Sequence, residues 1–109
     1  MDNPTKIQIA VGVALLAAGV ALCGSGVGVS IAVNRNPACR CALVHDPVSA
    51  TLSRQHNDAN VIALGARLIG FDTAKACVAA FLGADFAGGH HGRRVEKLGA
   101  PPPGWEARD

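Results

Sequence analysis

Tyrosine is absent, and Phe71, Phe81, Phe86 and Trp105 are the only aromatic residues in a chain of 109. That leaves little surface on which nucleic-acid bases could stack. The formal net charge of +2 is too small to mark a binder of phosphate backbones. Charged residues make up 17% of the chain, below the roughly 25% usual for soluble domains. The deficit is local. Residues 7–33 carry no charge, whereas residues 34–109 carry 16 charges in 76 positions. Four cysteines do not make a disulfide scaffold at this length. Half of the residues are apolar, so composition excludes a disordered chain. No internal repeat is visible. The length fits one small domain with marginal burial, a condition that favours oligomers.

The uncharged stretch 7–33 is long enough to span a bilayer. With Lys6 ahead of it, it also has the outline of a signal peptide. A lipoprotein reading fails because Leu22 stands before Cys23, where a small residue is required. Gly12, Gly19, Gly24, Gly26 and Gly28 interrupt the stretch, and a spanning helix has no use for that punctuation. A buried α/β core explains both the apolarity and the glycines.

Residues 9–18 read as a helix from their Ala and Leu content, weakened by Gly12. Residues 20–23 read as a buried strand, 24–28 as a glycine turn and Val27–Asn34 as a helix that Pro37 ends. Residues 40–44 form a second strand. Asp46 then caps a helix with Pro47 at its first position, running to about His56. Residues 57–60 turn the chain into a third strand, 61–64. Asp72 is expected to cap a helix over 73–82, with Ala74, Cys77, Val78 and Phe81 at helical spacing. Gly88 and Gly89 break the chain before a short basic helix over 91–98. Residues 1–99 are read as one domain and 100–109 as a proline-rich tail. Apolar strands alternating with helices imply a parallel sheet flanked by helices, with ligands at the carboxyl ends of the strands. The glycine turn, the stretch Val44-His45-Asp46 and the stretch Gly65-Ala66-Arg67 all fall there.

The turn Gly24-Ser25-Gly26-Val27-Gly28 points several backbone N–H groups at one place, where an anion or a developing oxyanion is stabilised. Spacing alone fits a plain strand-to-helix turn equally well. No Lys follows, so it is not a Walker loop. Ile31 stands where a dinucleotide motif would have its third glycine. Cys23 ends the strand beside this turn. A thiol near a helix N-terminus has a lowered pKa and can act as base or nucleophile, although a buried apolar Cys is the commoner case. His56 can carry a proton near neutral pH or simply pack, being four residues after Leu52. Cys39, Cys41 and His45 lack a fourth ligand at a spacing that suits zinc. His90, His91, Arg93, Arg94 and Lys97 form a basic cluster, either a solvated helix face or a phosphate clamp that Arg67 could join.

Four ordered motifs over residues 20–99 resemble the type-B ribose-5-phosphate isomerase family, which includes galactose-6-phosphate isomerase subunits. They are Cys23-Gly24-Ser25-Gly26-Val27-Gly28-Val29-Ser30-Ile31-Ala32 followed by Asn34, then Ser53-Arg54-Gln55-His56-Asn57-Asp58-Ala59-Asn60-Val61, then Leu64-Gly65-Ala66-Arg67, and last Gly88-Gly89-His90-His91-Gly92-Arg93-Arg94-Val95. The resemblance implies a three-layer Rossmann-like α/β fold and an aldose–ketose isomerase of a phosphorylated sugar, working through an enediolate, cytoplasmic and without metal or cofactor. It implies that Cys23 is the base between C1 and C2, that Gly24, Ser25, Gly26, Val27 and Gly28 hold the enediolate, and that His56 assists ring opening. It further implies that Asn57 binds substrate and that Arg67 and Arg94 bind the phosphate. His90 stands where the family usually has Arg, which implies a weaker or pH-dependent phosphate contact. The site forms between two subunits, so the resemblance also implies at least a homodimer. No partnership with nucleic acid or membrane is implied.

The family's first strand, with its Asp-His pair, has no match here. The expectation is therefore a fold truncated at its N-terminus, equivalent to the carboxyl part of the family. Residues 8–20 resemble the helix ahead of the Cys strand but are unusually apolar. Sheet surface left uncovered in this way favours an oligomer or poor solubility.

Overall fold

A computed structural model describes residues 18–99. The tail and the apolar residues up to 17 lie outside the described residues. The helix expected over 9–18 falls there too, apart from Ala18, which is not helical. The order of elements is β1 (Gly19–Cys23), α1 (Val27–Asn34), β2 (Cys41–Leu43), α2 (Pro47–Asn57), β3 (Val61–Gly65), α3 (Phe71–Gly83) and α4 (His90–Gly99).

The three strands form a parallel sheet in the order β1-β3-β2. β3 is central, and all five of its residues are buried, as expected of an apolar run with helices on both sides. Its residues alternate between two cores. Val61 and Ala63 join Ala21, Val29, Val33 and Cys39 beneath α1. Ile62 and Leu64 join Val44, Ala50, Cys77 and Phe81 beneath α2 and α3. Connectivity accounts for the three layers. The chain steps from β1 past the place of β3 to β2, then back to β3. Right-handed crossovers in opposite directions put their helices on opposite faces. Ile62 and Leu64 are fully buried, and each contributes about 1.5–3 kcal/mol through removal from water.

The start of α2 matches its sequence signal. Asp46 Oδ1 accepts from the Ser49 N–H at 2.7 Å, and Pro47 opens the helix. At its other end Asp58 adopts a left-handed conformation, φ 46°. Its carboxylate is held there by Arg54 Nη1 at 2.6 Å and Arg40 Nη2 at 3.1 Å.

Two expectations need correction. Asp72 does not cap α3. The cap is Gly70, whose carbonyl accepts from the Ala74 N–H at 3.0 Å, and Asp72 sits in the first turn. There a carboxylate complements the positive helix end without being the cap. The second strand is shorter than expected. The Arg40 N–H is taken by the Asn60 side chain at 2.8 Å instead of a strand neighbour.

On the α3 face, beside β1, lies an open apolar groove of about 720 Å³ lined by Val20, Leu22, Ile69, Phe71, Ala74 and Val78. Among the described residues no helix is long and apolar enough to cross a membrane.

Candidate functional site

In a parallel sheet every strand ends on the same edge, and helices run back the other way. The carboxyl edge therefore receives Cys23, the turn after it, Arg67 and the start of α2. The amino edge receives the end of α2, with His56 and Asn57, and the start of α4.

At the carboxyl edge the chain leaves β1 through Gly24, Ser25 and Gly26. Gly26 has φ 79°. A Cβ there would come within 2.5 Å of the Leu43 side chain and 3.0 Å of the Leu64 backbone. Only glycine satisfies both demands. The pairing of β1 with β3 continues beyond the strands: the Ala66 N–H donates to the Cys23 carbonyl and the Arg67 N–H to the Gly24 carbonyl, both at 2.9 Å. The Arg67 side chain lies along Gly24, with Cδ and Nε 3.4 Å from where a Cβ would stand.

The Gly26 N–H donates to Cys23 Sγ at 3.2 Å. The Cys23 thiol is held below its ordinary range, chiefly by the Val29 N–H and also by those of Gly26, Ser25 and Gly28, against an opposing effect of burial. This is an anion-accepting helix start, and its first occupant is the chain's own sulfur. The Ser25 hydroxyl accepts from the Val27 N–H at 3.2 Å and so shapes the turn. Val27 is exposed, and a Cβ at Gly28 would meet nothing, so the start of α1 is open to a ligand.

The other three thiols lie on the opposite side of their ordinary range. Burial pushes Cys39 and Cys77 up, and burial together with Cys39 pushes Cys41 up to about 12. Cys39 and Cys41 belong to the core beneath α1. Among the described residues no three His, Cys, Asp or Glu side chains are grouped so as to hold a metal. At the Val44-His45-Asp46 junction His45 is exposed and Asp46 caps α2.

At the amino edge the His56 ring stacks on that of His91, with centroids 4.2 Å apart and planes 10° from parallel. His90 leans on His91 at 4.0 Å and 39°. Arg94 Nη1 lies 3.3 Å from His91 Nδ1. Two features return α4 to the end of α2: the Ala87 N–H donates to the Gln55 carbonyl at 3.0 Å, and Gly88 and Gly89 turn the chain with φ 69° and 60°. Asn57 lines a neighbouring groove with Asn34, Arg35 and Arg40. Arg93 is exposed.

One chain therefore brings the expected site residues together in two groups. Cys23, the turn residues 24–28 and Arg67 form one, and His56, Asn57, His90 and Arg94 the other. The sheet lies between them, and five strand residues at roughly 3.3 Å each set about 16 Å between its edges. Within one chain Arg67 does not reach the basic cluster, because Arg67 and Arg94 are at opposite edges. The sequence places His91 only in that cluster. Its contact with His56 depends on how residues 84–89 return, and no local pattern in the sequence carries that.

Fold and site define a parallel α/β protein whose glycine turn begins at an acidified thiol. Residues 4–98 match the Ribose/Galactose Isomerase family, and the chain belongs to that family. It is 45% identical over 96 residues to Ribose-5-phosphate isomerase B of Escherichia coli, a match covering 88% of this chain and 64% of that relative. It is 47% identical over 81 residues to D-erythrulose-4-phosphate isomerase of Pectobacterium atrosepticum, covering 74% of this chain and 53% of the relative. The structure of Trypanosoma brucei type B ribose 5-phosphate isomerase superposes with a TM-score of 0.84 at 38% identity, over 94% of this chain and 71% of that one. This chain thus spans about two thirds or less of the two sequence relatives.

Proposed function

We propose that this chain isomerises a phosphorylated aldose to its ketose, with ribose 5-phosphate the first substrate to test, at a site shared between two copies. The acidified Cys23 thiol at the open start of α1 is the observation that carries the reading. A thiolate there takes the C2 proton of the open-chain aldose. The C–H electron pair becomes the C1–C2 double bond, and negative charge collects on O1, where the N–H groups of residues 24–28 stabilise it. Return of the proton to C1, with the hydroxyl proton passing from O2 to O1, gives the ketose. No oxidant or reductant is consumed.

His56 carries a proton for ring opening, Asn57 binds the sugar, and Arg67, Arg94 and His90 take the phosphate. The two groups of residues stand at opposite edges of one sheet, so a single small sugar meets both only across an interface. In a two-fold dimer the Cys23 turn of one copy faces His56 of the other. The names of the relatives support a sugar-phosphate substrate. They differ on the sugar, a pentose in one and a tetrose in another.

The test is complementation. Cys23→Ala is expected to lose a hundredfold or more in turnover, roughly the scale of a general base, and His56→Ala roughly tenfold or more. Each hybrid dimer of the two variants keeps one intact site. A refolded equal mixture should thus recover about a quarter of parental activity, half the dimers with half their sites. Parental turnover in Cys23→Ala overturns the base assignment, and a mixture no better than its components overturns the shared site.

A further inference from the structure

Three imidazoles meet at the amino edge, and one of them touches every other member of the group. His91 stacks on His56 at 4.2 Å, leans on His90 at 4.0 Å and faces Arg94 Nη1 with its Nδ1 at 3.3 Å. A guanidinium can only donate, so His91 Nδ1 accepts, and the ring carries its single proton on Nε2. Its surroundings agree. Burial, then His90, His56 and Arg94, hold the His91 imidazole below the ordinary histidine range. Those three are the titratable or charged groups that face it among the described residues, His56 from α2 and the other two from α4. α4 has no buried residue, and the Ala87–Gln55 hydrogen bond just ahead of it lies at the same end of α2.

We propose that His91 is a positioning residue: its ring fixes the orientation of the His56 imidazole, and its Nδ1 fixes the Arg94 guanidinium, so that the two are presented to the substrate as one unit. What His56 and Arg94 do there rests on the isomerase reading above, whereas the unit itself rests on the ring geometry. An unstacked His56 turns about both side-chain bonds, and an unheld Arg94 turns about four. A neutral ring between them removes both freedoms without adding charge where the phosphate would sit. Productive orientation of this kind acts on turnover through His56 and on substrate binding through Arg94.

The two contacts separate by substitution in the 109-residue chain. His91→Phe keeps a ring to stack but cannot accept from Arg94. His91→Gln keeps an acceptor but not the ring, and His91→Ala keeps neither. With ribose 5-phosphate, His91→Phe should hold kcat within about threefold of the parent and raise KM roughly tenfold. His91→Gln should show the reverse, kcat down roughly tenfold and KM within about threefold, and His91→Ala should show both losses. A purely structural role predicts that all three variants fall together in kcat and KM, and that result overturns the proposal.

A second readout needs no turnover. The His56 ring protons lie against the His91 ring, so their NMR shifts should move in His91→Ala and His91→Gln and stay near the parental position in His91→Phe. Unmoved His56 shifts in His91→Ala overturn the stack. A parent chain that does not turn over sugar phosphates overturns the isomerase reading alone, and the His56 shifts then decide whether His91 sets that ring.

Discussion

Gly65 and Ser25 are in backbone contact: a Cβ on Gly65 would lie 2.6 Å from the Ser25 carbonyl oxygen and 2.7 Å from its carbon. The last residue of β3 therefore serves as the floor on which the turn after Cys23 rests. Since no flexible side chain can move aside, Gly65→Ala should push the turn away from the sheet. The expected cost is about 1–3 kcal/mol, the range for overpacking a close contact. Urea denaturation reads the loss. Alkylation of Cys23 at neutral pH should slow in parallel, because a displaced turn withdraws its N–H groups from the sulfur. A variant with parental stability and parental thiol reactivity would remove Gly65 from its place beneath the turn.

The four cysteines should separate cleanly by reactivity. Amide hydrogen bonds lower Cys23 below its ordinary 9.0, while burial lifts Cys41 to about 12. A group with a depressed pKa reaches its charged form at lower pH, so Cys23 should be labelled first as pH rises from 6. Iodoacetamide at pH 7 followed by peptide mass spectrometry should find the Cys23 peptide modified well before the peptide carrying Cys39 and Cys41. Equal labelling would mean that the turn does not stabilise the thiolate.

The His91 imidazole is likewise shifted downward. Its folded-state pKa lies below the ordinary 6.5, so the unfolded or undocked ring binds the proton more readily. The contribution of the histidine stack is therefore complete above pH 6.5 and is lost as pH falls below it. Docking of α4 onto α2 should loosen in that window. Hydrogen exchange at the Ala87 amide, corrected for its intrinsic pH dependence, should speed up between pH 7.5 and 5.5. His91→Phe should flatten the response. Exchange independent of pH in the parent would show that protonation of His91 does not govern the docking.

His90→Arg should tighten ribose 5-phosphate binding several-fold at fixed pH. A guanidinium keeps its charge at every working pH and grips a phosphate through two parallel N–H donors, which an imidazole cannot do. Calorimetry is the measurement, and the comparison with the parent at the same pH cancels the titration of the ligand itself. Unchanged binding would place residue 90 away from the phosphate.

The parts of this molecule that were legible in its sequence share a physical trait: each is decided by a few neighbouring residues. Asp46 and Pro47 start α2 as their chemistry requires, and the glycines after Cys23 mark the turn to α1 at Val27. Val61 to Leu64 declare a buried central strand by being apolar on both faces. Asp72 misled because its preference for a cap competes with its preference for the first turn, and Gly70, with no side chain to advertise itself, took the cap. The split of the site into two groups follows from alternation alone, since a helix between parallel strands must end at the amino edge. Composition and motif order do not display it. The stack of His56 on His91 was the least legible feature, because it joins residues 35 apart whose approach is set by Gly88, Gly89 and a backbone bond to Gln55.

The strand order has a consequence for how the chain is made. β1 and β2 do not pair, and β3 is the bridge between them. Gly19 pairs with Val61, so a ribosome must deliver 42 further residues before β1 finds its partner. Until then, among the described residues, β1, α1 and β2 emerge without the strand that pairs with both β1 and β2. Contacts this distant in sequence close slowly. The nascent chain is therefore most exposed to misassociation just before β3 emerges, and the arrival of one five-residue strand converts it to a three-layered domain.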